Sequence, residues 1–395
     1  MTSKIKNLRI HFYGVQGSGA VFPRSAERTE IRRYSELSVL ENVLTLVQDR
    51  LASGVTTKDV VAEILGGPIT EANLTELWSS LAVDVPPSYG GWTSCVRVET
   101  ADGHDIVFDC GSGFRLCAQD IERKWAQKES RNLSILGSHA HFDHTEGFDQ
   151  AEVCFNPNNN IHVYGNASYL MALDHNLGIF SQNVDASTEG RQTPLTYELM
   201  PAKFEATELR DLSPSANTDP DAVTVANQLH NWHTPFEIGN TRIQPIEMFH
   251  PDPCLAFRVE HNDKVFVYCT DHELRHGPNP EHHLQLASLE AEQRLIEHSK
   301  NADLLYRDGQ FLRAEYDGIK GLGGRAGVPR RDWGHGCIED VVAMADDCNI
   351  KRTLIGHHDP SRSWRELTEI DDMLQDQSRP DFKVELAKAE TIIDL

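Results

Sequence analysis

The feature that most constrains this chain is the stretch LGSHAHFDHTEGF at residues 136–148, which places three histidines and one aspartate within six positions. The histidines follow the apolar run LSILGS, which is typical of a short buried strand. Loops held at the end of a rigid sheet are where chemistry is usually placed. At this frequency of His and Asp, chance gives an HxHxDH pattern in roughly one such chain per hundred or fewer. The pattern therefore indicates a metal site rather than a histidine-rich surface turn.

The residue types in this stretch also restrict the metal. His139 and His141 are two positions apart and can direct their imidazoles to one ion, while Asp143 and His144 can turn toward a second ion. Imidazole and carboxylate ligands with no neighbouring thiolate favour Zn, Mn or Fe, and an incomplete shell leaves a position for water. Four ligands cannot complete two metal shells, so we expect further ligands elsewhere in the chain.

Further candidate ligands stand at the carboxyl ends of other predicted strands. A lone histidine at a strand end is more often an ordinary core or surface residue than a ligand. Together with the HxHxDH stretch, however, these positions are predicted to complete the site, because strand ends bring distant parts of a chain together. They are His250 after RIQPIEMF, Asp271 after KVFVYCT, and His357 with His358 after RTLIG.

The rest of the sequence predicts an α/β (α+β) fold, in layers with mixed sheets, because apolar strands alternate with helical patterns. Apolar residues recur at helical spacing between about 35 and 81, which predicts two or three helices. The segment 181–233 is polar and has little periodicity, which predicts loops. We therefore expect one domain over residues 1–395, with a helical insertion at 26–88 and a loop-rich flap at 181–233.

Composition excludes several classes of protein. No apolar run reaches the length of a signal peptide or a membrane span, so a cytoplasmic protein with no membrane partner is expected. The formal net charge of −23 makes nucleic acid an unexpected partner, although a small anionic substrate remains compatible with it. The eight cysteines stand singly, without a CxxC pair, and are predicted to be reduced and buried.

At this point the sequence resembles the metallo-β-lactamase fold hydrolases, and within them the phosphodiesterase branch with ribonuclease Z and the cyclic-nucleotide phosphodiesterases. The resemblance covers most of the chain outside the two insertions, and it implies a four-layer αββα sandwich with two metal ions. It is carried by the following stretches: HFYGVQGSG, TSCVRVE, FDCGSGFR, SHAHFDHTEG, MFHPDPCLAFRVE, FVYCTDHE, and WGHG followed by LIGHHDP.

The resemblance implies a role for each candidate ligand. One metal is expected on His139, His141 and His250, the other on Asp143, His144 and His357, with Asp271 bridging them. His357 is preferred to His358 because the family ligand directly follows the strand. Two divalent ions are expected as cofactors, Zn first, with Mn or Fe as alternatives.

Two further positions refine the branch. His141 stands where the di-iron oxidoreductases of the superfamily carry Glu, which disfavours a redox role. His335 in WGHG is similar to the histidine that acts on the leaving group in the ribonuclease Z group. There the motif continues with Ser or Thr, whereas Gly336 and Cys337 follow here. The alternative for His335 is a histidine that only supports the metal ligands.

The resulting hypothesis is a phosphodiesterase for a small phosphodiester such as a 3′,5′-cyclic nucleotide. A water shared by two dications would attack phosphorus, Asp143 would hold the proton of that nucleophile, and His335 would protonate the leaving oxygen. The alternatives are a lactone or other acyl hydrolase with the same metals, a tRNA-processing nuclease, and an inactive binding protein. A homodimer is expected, with the helical insertion as a candidate contact.

Overall fold

Two β-sheets form the centre of the structure, a computed structural model that describes residues 5–23, 25–81, 88–126, 131–183, 194–214 and 224–395. Within these residues the first sheet has eight strands in the order β15-β1-β2-β3-β4-β5-β6-β7. The strands are β1 (Leu8–Gly14), β2 (Cys95–Thr100), β3 (Asp105–Phe108), β4 (Asn132–Leu136), β5 (Asn160–Gly165), β6 (Lys203–Arg210), β7 (Gln228–Asn231) and β15 (Thr391–Asp394). From β3 to β7 they run parallel.

The second sheet has seven strands in the described residues, in the order β14-β13-β12-β11-β10-β9-β8. They are β8 (Phe236–Ile238), β9 (Thr241–Met248), β10 (Cys254–His261), β11 (Lys264–Cys269), β12 (Leu304–Asp308), β13 (Arg352–Gly356) and β14 (Lys383–Leu386). β10 is antiparallel to both β9 and β11, and the pairs from β11 to β14 are parallel. As a result β9, β11, β12 and β13 end at the same edge.

Three apolar layers hold these elements together. Between the sheets, aromatic side chains interlock, with the rings of Phe108 and Tyr268 4.9 Å apart. Helices α4 (Phe114–Trp125) and α5 (Ala167–Leu177) pack on the first sheet, and α6 (His283–Ser299), α8 (Ile338–Asp347) and α9 (Trp364–Gln375) pack on the second. The short helix α7 (Arg313–Tyr316) follows β12. The α/β class and the four αββα layers are thus confirmed.

The chain divides into two compact units, one made of Met1–Val21 with Tyr89–Leu395 and the other of Phe22–Ser88. The second unit contains helices α1 (Ser25–Ala52), α2 (Val60–Leu65) and α3 (Glu71–Ser80). Helix α1 begins about ten residues before the apolar periodicity does, since its polar first turns carry no apolar stripe. Thr70 caps α3 by accepting a hydrogen bond from the backbone N–H of Asn73 at 3.2 Å.

The segment 181–233 differs from the loop-rich flap expected from its composition. Strand β6 lies inside it and pairs in parallel with β5 over six residues, and β7 continues the sheet. The expectation of loops was wrong here, because KFEATELR has charged residues on both faces, Lys203 and Glu205 on one and Glu208 and Arg210 on the other, and so lacks a clear apolar alternation. Residues 184–193 and 215–223 of the predicted flap lie outside the described residues.

Among the helices of the described residues, none combines the length and apolar character that a bilayer span requires.

Candidate metal centre

The candidate ligands meet where strands of both sheets end. The HxHxDH stretch follows β4 of the first sheet, while the other ligands follow β9, β11 and β13 of the second. Because these three strands run in the same direction, their carboxyl ends share one edge, and the loop after β4 faces that edge. The convergence that was predicted from strand ends is therefore a direct result of the sheet topology.

A first cluster consists of three imidazoles and one carboxylate. His139, His141, His250 and Asp271 each offer one ligand atom, and these atoms all lie within 4.8 Å of one another. His141 Nδ1 is 3.2 Å from His250 Nε2, and Asp271 Oδ2 is 3.5 Å from His139 Nε2 and 3.9 Å from His250 Nε2. Two imidazole nitrogens at such a distance, beside a carboxylate, suit a shared cation.

A second cluster lies on the other side of Asp271. It contains Asp143, His144 and His357, with His357 Nε2 3.3 Å from Asp143 Oδ2 and His144 Nε2 3.4 Å from the same oxygen. Asp271 Oδ1 is 3.0 Å from His357 Nε2 and 3.3 Å from His144 Nε2. One carboxylate thus turns its two oxygens to two separate sets of imidazoles, which is the geometry of a bridging ligand.

The burial of the imidazole nitrogens shows, independently of any similarity to known proteins, that these residues fit two divalent cations. Nε2 of His139, His144 and His357 is buried and makes no well-oriented hydrogen bond with the described residues, although carboxylate oxygens of Asp143 and Asp271 lie 3.0 to 3.5 Å away. Buried polar atoms without partners are uncommon and destabilising in folded proteins. A cation held by these nitrogens removes that cost, and the N and O donors without thiolate match Zn, Mn or Fe.

The charges of the centre support the same interpretation. Burial raises the pKa of Asp271, but the imidazoles of His357 and His144 outweigh burial and hold this pKa well below its usual range. Asp143 behaves in the same way beside His144. Conversely, burial lowers the pKa of His357, yet Asp271 and Asp143 raise it to about 10. At neutral pH this raised pKa favours a protonated His357, and a metal ion bound there would displace that proton.

Asp109, directly after β3, holds His144 of the second cluster through the ring nitrogen that does not face the centre. Its carboxylate contacts His144 Nδ1 at 2.9 Å and accepts hydrogen bonds from the hydroxyls of Ser138 and Tyr268, each at 2.8 Å. Asp109 itself has φ +57°, a left-handed conformation that is costly outside glycine. By holding Nδ1, this carboxylate directs His144 Nε2 to the centre. Sequence reasoning missed it, although DCGSG places an aspartate directly after a strand.

The turn GVQGSG, which lacks dinucleotide-binding spacing, contributes close packing to the centre. A Cβ on Gly17 would lie 2.2 Å from His357 Nδ1, so only glycine allows the backbone to lie against this imidazole. The backbone N–H of Ser18 donates a hydrogen bond to Asp143 Oδ2 at 2.8 Å. His357 has φ +58°, a second left-handed residue in the site.

His335 lies beside both clusters. Its Nδ1 is 3.2 Å from Asp308 Oδ2 and 3.7 Å from Asp271 Oδ2, and its ring stacks on His357 with centroids 4.8 Å apart. Asp308 also accepts a hydrogen bond from the backbone N–H of Gly336 at 3.0 Å. No described residue hydrogen-bonds Nε2 of His335, so this nitrogen is available for proton exchange. Asp308 was missed, although it ends β12 as Asp271 ends the preceding strand.

A buried glutamate organises the loop before His335. Glu273 accepts hydrogen bonds from the backbone N–H groups of Asp332 at 3.0 Å and Gly334 at 2.9 Å. The carbonyl oxygen of Gly334 in turn lies 3.0 Å from His250 Nδ1 and fixes that ligand. One carboxylate therefore positions both His335 and His250, through the backbone that connects them.

The structure brings together all seven predicted ligands and His335. His358 lies elsewhere, with Nε2 2.8 Å from the carbonyl oxygen of Ala387, and burial lowers its pKa to about 4. Cys269 and Cys337 are buried free cysteines, and burial raises the pKa of each thiol. Both are core residues rather than ligands or nucleophiles.

The family model described as "Beta-lactamase superfamily domain" matches residues 104–358, which is more than half of the chain. The chain belongs to the β-lactamase superfamily. The matched range contains all seven candidate ligands and His335. No curated protein matches the chain.

Several solved structures are similar to this chain at low sequence identity. The metallo-β-lactamase fold protein YhfI from Bacillus subtilis is 13% identical, with a TM-score of 0.48, and the match covers 98% of this chain and 99% of that chain. A diphosphatase of the PhnP family is 14% identical, with a TM-score of 0.48 and 98% of each chain covered. The short form of human tRNase Z is 15% identical, with a TM-score of 0.49 and 98% of each chain covered.

Proposed function

We propose that this protein is a hydrolase with two metal ions, and that it cleaves a small phosphodiester such as a 3′,5′-cyclic nucleotide. The observation that carries the proposal is the position of Asp271, whose two oxygens lie 3.0 to 3.9 Å from imidazole nitrogens of both clusters. His335 adds a proton donor beside this bridge. A bridged pair of cations with an adjacent acid suits in-line displacement at phosphorus.

The residues divide between the two ions as their distances suggest. His139, His141 and His250 would hold one ion, Asp143, His144 and His357 the other, and Asp271 would bridge them. When bound, two dications such as Zn lower the pKa of a shared water, orient it and neutralise charge that develops on the phosphoryl oxygens.

The protein's own residues would move the protons. Asp143 Oδ2 lies between His144 and His357 and would hold the proton of the attacking water, while the N–H of Ser18 fixes the carboxylate. As the bond from phosphorus to the leaving oxygen breaks, His335 would give its Nε2 proton to that oxygen. Asp308 on Nδ1 would stabilise the protonated imidazole before transfer.

The test is hydrolysis of the adenine, guanine, cytosine and uracil 3′,5′-cyclic nucleotides by zinc-loaded protein, with Asp143→Ala alongside. Asp149→Ala is the matched control, because Asp149 is on the same loop outside the ligand set. We expect at least one cyclic nucleotide to open to the linear monophosphate, with activity lost in Asp143→Ala alone. Turnover of lactones or p-nitrophenyl esters without turnover of any phosphodiester would overturn the proposal in favour of an acyl hydrolase.

A further inference from the structure

We propose that Arg330 binds a second anionic group of the substrate, a phosphoryl or carboxylate group remote from the scissile phosphodiester. This inference rests on the proposed function and names the substrate class more closely. It starts from a cation near the metal centre that makes no ion pair with the described residues.

Arg330 is unusual among the arginines near the centre. Arg275 pairs with Asp332 at 2.6 Å, Arg307 with Glu292 at 2.6 Å, and Arg313 with Asp340 at 2.6 Å. The guanidinium of Arg330, by contrast, makes no ion pair and no hydrogen bond with the described residues, where its contacts are with aromatic rings. A guanidinium carries five N–H donors in a fixed fork, so these donors remain available to an anion.

Two aromatic rings hold the guanidinium in place. Arg330 Cζ lies 4.3 Å from the ring centroid of Trp333 and 5.7 Å from that of Phe311. Phe311 is fully buried, whereas the Trp333 side chain is half exposed. Rings that contact the face of a guanidinium leave its edge, where the N–H groups are, open to a planar anion.

The same rings connect Arg330 to the reacting centre. The Phe311 ring lies 6.0 Å from the ring of His335, which in turn stacks on the ligand His357. Arg330 is therefore one aromatic ring away from the proposed proton donor. Since the Phe311 ring contacts both the guanidinium and His335, we assign the group that Arg330 binds to a part of the substrate other than the phosphorus at the metals.

The surrounding segment has the charge that an anionic substrate requires. Residues 318–331, GIKGLGGRAGVPRR, contain four basic residues and no acidic residue, in a chain with a formal net charge of −23. The backbone here is fixed rather than loose, since the N–H of Arg330 donates to the carbonyl oxygen of Tyr316 at 2.8 Å. A local basic segment in an acidic protein favours approach of anions at this side of the site.

The experiment compares three substrates that differ at one position. They are thymidine 5′-(p-nitrophenyl phosphate), the same diester with a 3′-phosphate, and the same diester with a 3′-O-succinyl group. The quantity measured is the ratio of kcat/KM with the added anion to kcat/KM without it, at 0.15 M salt. We expect this ratio to be about ten or more for the wild type, because a hydrogen bond to a charged group contributes about 1.5 kcal/mol or more. The larger of the two ratios identifies phosphoryl or carboxylate as the preferred anion.

Arg330→Gln should lower this ratio at least tenfold, because hydrogen bonds to charged groups contribute about 1.5 kcal/mol or more. Trp333→Leu should lower it by less, roughly threefold, because it removes only the cation–π contact that orients the guanidinium. Arg325→Gln is the matched control: it removes the same charge from the same acid-free segment, and its ratio should stay within twofold of the wild type. An equal loss in Arg325→Gln and Arg330→Gln, or an unchanged ratio in Arg330→Gln, would overturn the inference.

A binding measurement separates this inference from the proposed function. If the wild type cleaves none of the three diesters, the phosphodiesterase proposal fails, and calorimetry with thymidine 3′,5′-bisphosphate and thymidine then tests Arg330 alone. Binding of the bisphosphate that weakens at least tenfold in Arg330→Gln supports the anion site. Equal binding by both proteins, or no binding by the wild type, contradicts it.

Discussion

The two-sheet unit and the helical unit differ in which side chains they bury. The first buries polar side chains that are usually exposed, and the second exposes apolar side chains that are usually buried. In the two-sheet unit, carboxylates and imidazoles such as Asp271, His139 and His144 are almost fully buried. In the helical unit, the buried side chains among the described residues of 25–81 are those of Val60 and Leu65 only. Its exposed large apolar residues are Phe22, Tyr34, Leu37, Leu40, Leu44, Leu51, Val61, Ile69, Leu74 and Trp78.

Each departure indicates a binding partner, and the two partners differ in kind. Buried polar atoms without partners are satisfied by a cation, whereas an exposed apolar stripe is satisfied by another apolar surface. On α1, positions 37, 40, 44, 47 and 51 repeat at alternate spacings of three and four, which is the pattern of a helix that pairs with another helix. The expected homodimer therefore has a candidate surface, and it stays a prediction.

The largest effect should come from Asp271→Asn, which keeps the size of the side chain and removes the bridging charge. Loss of a residue that hydrogen-bonds a metal ligand lowers activity up to roughly 100-fold. We expect kcat to fall by more than this in Asp271→Asn, because both proposed metal sites lose a ligand. Steady-state hydrolysis of bis(p-nitrophenyl) phosphate measures this fall. A variant with half of the wild-type kcat would show that Asp271 bridges nothing.

Asp109→Asn should have the next largest effect, since Asp109 orients His144 without contacting substrate. We expect zinc affinity to fall about 10- to 100-fold, measured by competition with a chromophoric chelator. Excess zinc should restore most of the activity, which distinguishes this positioning role from the role of Asp271. Unchanged zinc affinity would mean that His144 holds its orientation without this carboxylate.

Asp105 tests whether every buried carboxylate in the two-sheet unit depends on metal. Its Oδ1 contacts both Arg97 Nη2 at 2.6 Å and Lys124 Nζ at 2.8 Å. Burial raises its pKa, but these two cations outweigh burial and hold the pKa below the ordinary value. Asp105 therefore contributes stability above about pH 4, and this contribution is lost as pH falls through the lowered pKa.

We expect Asp105→Asn to reduce the free energy of unfolding by about 2 kcal/mol at pH 7, with a smaller difference at pH 3.5. Urea unfolding at both pH values with a chelator present, repeated at pH 7 with added zinc, measures this. Because protein cations already pair with Asp105, the difference at pH 7 should be the same with and without zinc. A difference that grows as the pH is lowered would contradict the assigned sign.

The smallest effect on activity should come from the helical unit. Changing Leu40 and Leu44 to Glu puts charges into the α1 stripe and should weaken self-association at least tenfold, as sedimentation equilibrium would measure. Hydrolysis at the metal centre should stay within twofold, since no metal-ligand candidate lies on α1. Glu36→Gln, outside the stripe, is the control. A wild type that is monomeric at high concentration would remove the dimer from the account.

Sequence reasoning was most effective where residues of metal-ligand type stand at the ends of predicted strands. The ligands could be predicted because His139, His250 and Asp271 each follow an apolar strand, and such ends converge in an α/β layer fold. Asp109 and Asp308 gave the same signal, but a single aspartate after a strand is common in loops and was not distinctive. The close approach of Gly17 to His357 joins residues 340 positions apart, and no local pattern encodes it.

The fold was less predictable where a segment within a sheet contains charged residues. Strand β6 lies between β5 and β7 in the first sheet, yet its charged residues hide the period of two that identifies strands. Helix α4 was not predicted, although it carries a clear apolar face. The face consists of Phe114, Cys117, Ile121 and Trp125. Tertiary contacts decide such segments, and local propensity does not.

The measurement that tests the central claim most directly is the zinc content of the folded protein, determined by mass spectrometry of the metal after dialysis against buffered zinc. The account predicts about two zinc ions per chain for the wild type and one or fewer for Asp271→Asn, with the same far-ultraviolet circular dichroism. A wild type that keeps its fold and binds fewer than one zinc ion per chain would contradict a two-metal centre. An Asp271→Asn variant that still binds two ions would contradict the bridge.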